Sequence, residues 1–141
     1  MAHILVVEDH KDSADVLIRA LGKAGHTVEH VMDGRVALDV MSAHTPNLVV
    51  LDLRLPTFDG ISFLQVMRSY LRWREIPVIV VSAGTEMESD RVLQMGAKRF
   101  FRKAHFDLKE FVAAVDELAG RGTSPGSLGE SGNWGGNSIF K

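Results

Sequence analysis

The chain has 141 residues, with 16 Lys and Arg against 18 Asp and Glu, a formal net charge of −2 and no cysteine. The lack of cysteine excludes disulfides, thiol nucleophiles and Cys-ligated zinc, and the charge balance gives no reason to expect a nucleic-acid partner. The longest apolar runs have four to six residues, far short of a membrane span. The start, Met1-Ala2-His3, leads directly into a strand-like segment without a signal-type apolar core, so we expect a cytoplasmic protein that does not contact a membrane.

Glycine is distributed unevenly along the chain. Residues 120–141 contain seven of the 13 glycines. This bias predicts one domain over residues 1–119 and a Gly/Ser-rich tail over residues 120–141, with no effector domain.

Five short apolar runs alternate with five amphipathic stretches, and several runs are apolar throughout. Continuous apolar runs are typical of parallel strands that helices cover on both faces. The predicted strands are Ile4–Val7, Thr27–Met32, Leu48–Leu51, Pro77–Val81 and Lys98–Arg102. The predicted helices are Asp12–Ala24, Gly34–His44, Gly60–Leu71, Glu86–Met95 and Asp107–Ala119. This order predicts an α/β fold, a doubly wound (βα)₅ unit with a five-stranded parallel sheet.

The helices differ in the strength of their patterns. The first has a clear apolar stripe that includes Val16, and Gly25 is expected to end it. The third places Tyr70 and Leu71 on its apolar side. The fourth is the weakest, because acidic residues dominate its first turns. In the fifth, Asp107 and Glu110 have the spacing of a capping pair.

Polar residues stand at four of the five predicted strand ends: Glu8 and Asp9, then Asp52, Ser82 and Lys103. Ligands of open parallel sheets bind beyond the carboxyl ends of the strands, where these groups converge. Three converging carboxylates repel one another, so their pKa values should be raised without a cation. An oxygen-only ligand set favours Mg²⁺ over zinc. A carboxylate beside such a cation, with a Lys and a hydroxyl, suits transfer of a phosphoryl group onto Asp.

Taken together and in order, these motifs are specific. The matching pieces are Glu8-Asp9, the segment from Asp52 to Gly60, Ser82-Ala83, and Gly96-Ala97 followed by Phe100 and Lys103. Over about residues 2–119 the sequence resembles a response-regulator receiver domain, the CheY-like module of two-component signalling. The resemblance implies the strand order 2-1-3-4-5.

The resemblance also implies roles at the site. Asp52 would accept a phosphoryl group from a histidine kinase or histidine phosphotransfer protein, with Ser82 and Lys103 as the other catalytic groups. Mg²⁺ would be bound by Asp9 and Asp52 directly, by Glu8 through water, and by the backbone carbonyl of Arg54. Ser82 would move toward the phosphoryl group.

Three positions depart from the family pattern. Ala104 stands where the family usually has a proline, often on a cis peptide, and a non-proline cis bond costs about 3–4 kcal/mol. Phe100 stands at the aromatic switch position, where Tyr is more frequent. Glu8 replaces an Asp, which lengthens the side chain by one methylene. None of the three removes a group that phosphorylation needs.

Basic residues cluster around the last strand, which should be a sheet edge: Arg91, Lys98, Arg99 and Arg102. Such charges commonly block unwanted strand pairing. In the family, this face also docks a downstream partner or a second receiver, which would make a homodimer.

Our interpretation is a stand-alone receiver that switches a protein-docking surface, and not an enzyme in the usual sense. The alternative is a degenerate receiver that acts as a phosphorylation-independent interaction module. A haloacid-dehalogenase-type phosphatase is disfavoured because Arg54 stands where that class has its second Asp. A nucleotide-binding domain is disfavoured because no Gly-rich loop follows the first strand.

Overall fold

The structure, a computed structural model, describes residues 2–56 and 58–121. The five strands are β1 (His3–Val7), β2 (Thr27–Val31), β3 (Leu48–Leu51), β4 (Val78–Ser82) and β5 (Arg99–Arg102). The α-helices are α1 (Lys11–Lys23), α2 (Gly34–Ala43), α3 (Gly60–Ser69), α4 (Glu86–Gln94) and α5 (Leu108–Arg121). A 3₁₀ turn over Lys103–His105 separates β5 from α5. The part of the expected tail from residue 122 onward lies outside the described residues.

The strands form one parallel sheet in the order β2-β1-β3-β4-β5. This confirms the predicted fold and strand order. Strand order reverses between β1 and β3, where Val7 is in register with Leu51. The residues that follow these two strands therefore lie side by side at the carboxyl edge of the sheet.

The core has two parts, one on each face of the sheet. Successive residues of a strand point to opposite faces. Thus Leu5 and Leu51 pack toward α2, α3 and α4, whereas Ile4 and Val50 pack toward α1 and α5. Both faces are covered, which explains why these strands show no alternation of apolar and polar residues.

The predicted buried faces of α3 and α1 are wrong in part, because each includes residues that are exposed. α3 ends at Ser69, and Tyr70 already has an extended backbone. Tyr70 and Leu71 are consequently exposed, the latter by 79%. In α1, Val16 is half exposed rather than part of the buried stripe.

The helix ends also differ in detail from the sequence prediction. Gly25 has φ +95° after α1, so the expected stop is present. α4 begins with a capping box between Thr85 and Glu88, which the sequence analysis did not identify. Before α5, the Asp107 carboxylate accepts from the amide of Lys109 at 2.8 Å rather than pairing with Glu110. Among the described helices, none has both the length and the apolar character needed to cross a membrane.

Candidate functional site

Three carboxylates meet where β1 and β3 end. The backbone amide of Asp52 donates to the carbonyl of Val7 at 3.0 Å, which continues the sheet pairing one residue past β3. Glu8, Asp9 and Asp52 each offer a carboxylate oxygen within 4.8 Å of the others. Glu8 and Asp52 are each 2% exposed, whereas Asp9 is exposed. The predicted acidic residues thus form one cluster, which we call the acidic triad.

Lys103 places its ammonium between the two buried carboxylates. Its Nζ lies 2.8 Å from Glu8 Oε1 and 2.9 Å from Asp52 Oδ2. Lys103 begins the 3₁₀ turn directly after β5, so the strand end positions it. Two buried carboxylates facing one ammonium leave a net negative charge, which a cation can offset.

Backbone amides orient the same carboxylates. The amide of Arg54 donates to Asp52 Oδ1 at 3.0 Å, and the amide of His10 donates to Glu8 Oε2 at 2.9 Å. His30 Nε2 donates to the carbonyl of Glu8 at 2.7 Å. Both acidic side chains are therefore held in fixed orientations before any ligand binds.

These contacts set the ionisation of the site. Burial acts to raise the pKa of Asp52, but hydrogen bonds from the Arg54 amide and from Lys103 outweigh it and hold that pKa below its ordinary value. Burial raises the pKa of Glu8 despite its contact with Lys103. Burial alone would lower the pKa of Lys103, but hydrogen bonds with Glu8 and Asp52 raise it. The expectation that crowding raises the carboxyl pKa values is thus wrong for Asp52, because it left out the ammonium between the two groups.

Ser82 lies on β4 and Phe100 on β5, the two strands that follow β3 in the sheet. Ser82 ends β4 and is fully buried. Its hydroxyl is close enough to the Asp52 carboxylate to help lower the pKa of Asp52, but makes no hydrogen bond of good geometry to a described residue. Phe100 is half-buried on β5, opposite Val80, and packs against the core on the α4 side. Ser82 does not cap α4, since Thr85 does.

Arg54 makes a contact that the sequence analysis missed. Its guanidinium donates to Glu88 Oε1 at 2.8 Å. The same oxygen accepts from the amide of Thr85 at 2.9 Å. The spacing Thr85-x-x-Glu88 is the signature of a capping box and could have identified this turn.

The site accommodates a divalent cation. Its donors are carboxylate oxygens, which hard cations prefer. The acidic triad sits at the open end of the sheet, with Asp9 exposed to solvent. The peptide bond between Lys103 and Ala104 is trans, since no cis peptide occurs among the described residues.

β5 is an edge strand of the sheet, as expected, and the basic residues lie on it, directly before it or on α4. Arg91, Lys98 and Arg102 are exposed. Arg99 is half-buried, lies 4.7 Å from the centre of the Phe101 ring, and pairs with Glu110 at 3.2 Å. Three of the four basic side chains are therefore accessible to solvent, whereas Arg99 makes contacts within the domain.

Comparisons with known proteins agree with this geometry. The family described as "Response regulator receiver domain" matches residues 4–116. The response regulator MprA of Mycolicibacterium vanbaalenii is 36% identical over 130 residues, which cover 91% of this chain and 54% of that protein. The transcriptional regulatory protein TcrA of Mycobacterium tuberculosis is 37% identical over 124 residues, covering 86% of this chain and 47% of that protein. The chain thus spans about half the length of these curated relatives.

Solved structures show the same fold. The receiver domain of the Francisella response regulator 1452 superposes with a TM-score of 0.78 at 26% identity, covering 86% of this chain and 98% of that one. The family match extends over most of the chain and includes every residue of the five strands except His3. The chain therefore belongs to the response regulator receiver domain family.

Proposed function

We propose that the domain accepts a phosphoryl group on Asp52 from a phosphohistidine of a histidine kinase or histidine phosphotransfer protein, in the cytoplasm. The observation that supports this most is the state of Asp52: a buried carboxylate with a lowered pKa, oriented by the Arg54 amide and by Lys103. An ionised carboxylate in a fixed orientation is what a nucleophile needs.

The reaction is a transfer between two nucleophiles. A carboxylate oxygen of Asp52 forms a bond to phosphorus while the bond from phosphorus to the imidazole nitrogen breaks. The electron pair of that bond returns to the imidazole. The product on this chain is an acyl phosphate, so the domain acts as a phosphoacceptor switch rather than as an enzyme with turnover of its own.

Lys103 and Ser82 are the groups we assign to the developing charge. Lys103 Nζ is 2.9 Å from Asp52 Oδ2 and would move its hydrogen bond to a phosphoryl oxygen. The buried Ser82 hydroxyl, which lies near the Asp52 carboxylate, would donate to another. Donors aimed at the oxygens that gain charge are the usual source of catalysis in phosphoryl transfer.

Magnesium is the cation we assign to the acidic triad. Asp9 and Asp52 would bind it directly, Glu8 through water, and the Arg54 backbone carbonyl would add a further oxygen. When bound, it neutralises charge on the phosphoryl oxygens during transfer. The net negative charge left after Lys103 has paired with Glu8 and Asp52 supports this assignment.

Phosphorylation would then switch a docking surface. Movement of Ser82 toward the phosphoryl group would shift the segment that leads into α4 and the neighbouring Phe100 ring. The surface would be α4 and β5, on which a downstream protein or a second receiver would meet the exposed Arg91, Lys98 and Arg102, with Arg99 beside them.

Intact mass spectrometry with a small phosphodonor tests the proposal. With Mg²⁺ and acetyl phosphate, the wild type should gain one phosphoryl group that hydroxylamine removes, and Asp52→Asn should gain none. Asp59→Asn is the matched control, because Asp59 lies in the same connection and caps α3 by accepting from Ser62, a role that Asn keeps. If no donor modifies the wild type, including a phosphorylated histidine phosphotransfer domain, the phosphorylation-independent module is the correct alternative.

A further inference from the structure

Two histidines and a glutamate meet at the amino edge of the sheet, opposite the acidic triad. His3 begins β1, Glu29 lies in β2, and His44 follows α2. Their ligand atoms all lie within 4.8 Å of one another. His3 and Leu5 are two residues apart in β1, so their side chains point to the same face of the sheet. Leu5 is in register with Glu29, so the Glu29 side chain points to that face too. We call this cluster the amino-edge triad.

The distances match the geometry of a zinc site. Glu29 Oε1 lies 3.4 Å from His3 Nε2 and 3.2 Å from His44 Nε2. Tetrahedral zinc with bonds of about 2.0–2.1 Å holds neighbouring ligand atoms roughly 3.3–3.4 Å apart. These two separations are therefore compatible with zinc, and the ligand atoms of the two imidazoles lie within 4.8 Å of each other.

The surroundings of the His3 side chain also support a metal site. Its Nε2 is shielded from solvent and makes no hydrogen bond with good geometry to any described residue. Its backbone is held from both sides, since its amide donates to Asn47 Oδ1 at 2.7 Å and its carbonyl accepts from the Asn47 amide at 2.8 Å. The backbone of His3 is thus fixed, and its Nε2, which makes no such hydrogen bond, is available to a metal.

We propose that the amino-edge triad binds Zn²⁺ through His3 Nε2, His44 Nε2 and one carboxylate oxygen of Glu29. The fourth ligand is water, because the site opens toward solvent at His44, whose side chain is 58% exposed. Two imidazoles and one carboxylate favour zinc, whereas the oxygen-only acidic triad favours a harder cation. The two sites therefore take different metals, and the amino-edge triad does not depend on phosphorylation.

Zinc at this position ties three segments together. It links the first residue of β1, the edge strand β2 and the connection between α2 and β3. A ligand that binds only the folded chain stabilises it by mass action. The chain should therefore unfold at a higher urea concentration when zinc is present.

Calorimetric titration of tag-free protein with ZnCl₂ tests the site, with excess Mg²⁺ present to occupy the acidic triad. One zinc per chain should bind to the wild type and equally to Asp52→Asn. His44→Ala and Glu29→Gln should each weaken binding by about tenfold or more, since even the partners of metal ligands cost that much. His105→Ala, an exposed histidine elsewhere, is the matched control and should bind as the wild type does.

Two further readouts make the result decisive. Co²⁺ in place of zinc should give the visible absorption of a tetrahedral site in the wild type and not in His44→Ala. Zinc should raise the urea midpoint of the wild type more than that of His44→Ala, a substitution at an exposed position that leaves the core intact. Absence of binding, or binding that His44→Ala and Glu29→Gln leave unchanged, would overturn the proposal and leave an ordinary cluster of histidine–carboxylate pairs.

Discussion

The Arg54 guanidinium and the Glu88 carboxylate are joined at 2.8 Å, across 34 positions of the chain. Arg54 also donates its amide to Asp52, and Glu88 belongs to the first turn of α4. The Arg54 side chain thus bridges the segment that follows β3 and the first turn of α4. The pair is partly exposed, Arg54 by 56% and Glu88 by 25%, so its effect on stability is small.

Glu88→Gln should lengthen the lifetime of the phosphorylated domain. The amide oxygen of Gln can still accept from the Thr85 amide, but the ion pair is lost and Arg54 is released toward the phosphoryl oxygens. A charge-assisted hydrogen bond there would hinder attack by water. An effect of about 0.7 kcal/mol, within the range of exposed pairs, corresponds to roughly threefold slower loss. The measurement is the decay of the phosphorylated mass after the donor is removed.

Two variants serve as controls for this effect. Glu86→Gln removes an acidic group from the same helical turn and should leave the lifetime unchanged. Arg54→Ala added to Glu88→Gln should abolish the gain. A lifetime that stays the same or shortens in Glu88→Gln would show that Arg54 does not act on the phosphoryl group.

Lys103→Met should strongly destabilise the metal-free domain at neutral pH. It leaves Glu8 and Asp52, each 2% exposed, without the ammonium that lies within 2.9 Å of both. Removing one partner of a buried pair typically costs about 3–5 kcal/mol. Urea unfolding measures the loss, and Lys98→Met, which removes an exposed lysine, should be close to wild type.

The same variant should also change how the free energy of unfolding depends on pH in the acidic range. In the wild type, the lowered pKa of Asp52 contributes stability above its ordinary pKa, and this is lost as pH falls through the folded value. Without Lys103, burial raises the pKa of both carboxyls, so protonation favours the folded state. The gap between variant and wild type should narrow from pH 7 toward about pH 4. A gap that widens on acidification would contradict this account.

Thr85→Ala should loosen α4 more than the rest of the domain. Thr85 accepts from the Glu88 amide, and its loss costs about 1 kcal/mol, as for other N-caps. Val92 is the one side chain of α4 that is fully buried among the described residues, so tertiary packing compensates little. Hydrogen exchange should quicken in α4 and stay unchanged in β4. Thr85→Ser keeps the hydroxyl and should restore protection; equal acceleration in both elements would argue for a global effect instead.

Gly60→Ala should destabilise the domain although alanine favours helices. A Cβ at Gly60 would lie 2.5 Å from the Asp52 carbonyl oxygen and 2.6 Å from Leu53 Cα, both backbone atoms. Relieving such overpacking costs about 1–3 kcal/mol. Gly22→Ala, near the end of α1 with nothing within 4 Å of the added Cβ, should instead gain up to about 1 kcal/mol. Urea midpoints that move in the same direction for both would refute the steric explanation.

The sequence predicted the sheet well because its strands carry a strong local signal. Leu48–Leu51 is apolar throughout, which is typical of a strand buried on both faces. The end of α3 was harder to predict, since Tyr70 and Leu71 continue the apolar period and neither Gly nor Pro follows Ser69 to mark the stop. Periodicity reports the face of a helix but not where tertiary packing ends it.

At the site, the positions of the acidic residues could be predicted from the sequence. The pKa of Asp52 and the pairing of Arg54 with Glu88 could not. Glu8, Asp9 and Asp52 were identified because strand ends of a parallel sheet converge. The lowered pKa of Asp52 depends on the placement of Lys103 Nζ, which no spacing along the chain reveals. The pair between Arg54 and Glu88 likewise depends on how two connections pack together.

The close approach of Gly60 to Asp52 has a mechanical consequence. The first turn of α3 rests directly on the backbone of Asp52 and Leu53, and the Gly60 amide donates to the Leu53 carbonyl at 3.1 Å. α4 lies on the same face of the sheet, and Val92 is its only fully buried side chain among the described residues. Of two helices, the one with fewer buried contacts is displaced more easily. A conformational change that starts at Asp52 should therefore displace α4 more than α3.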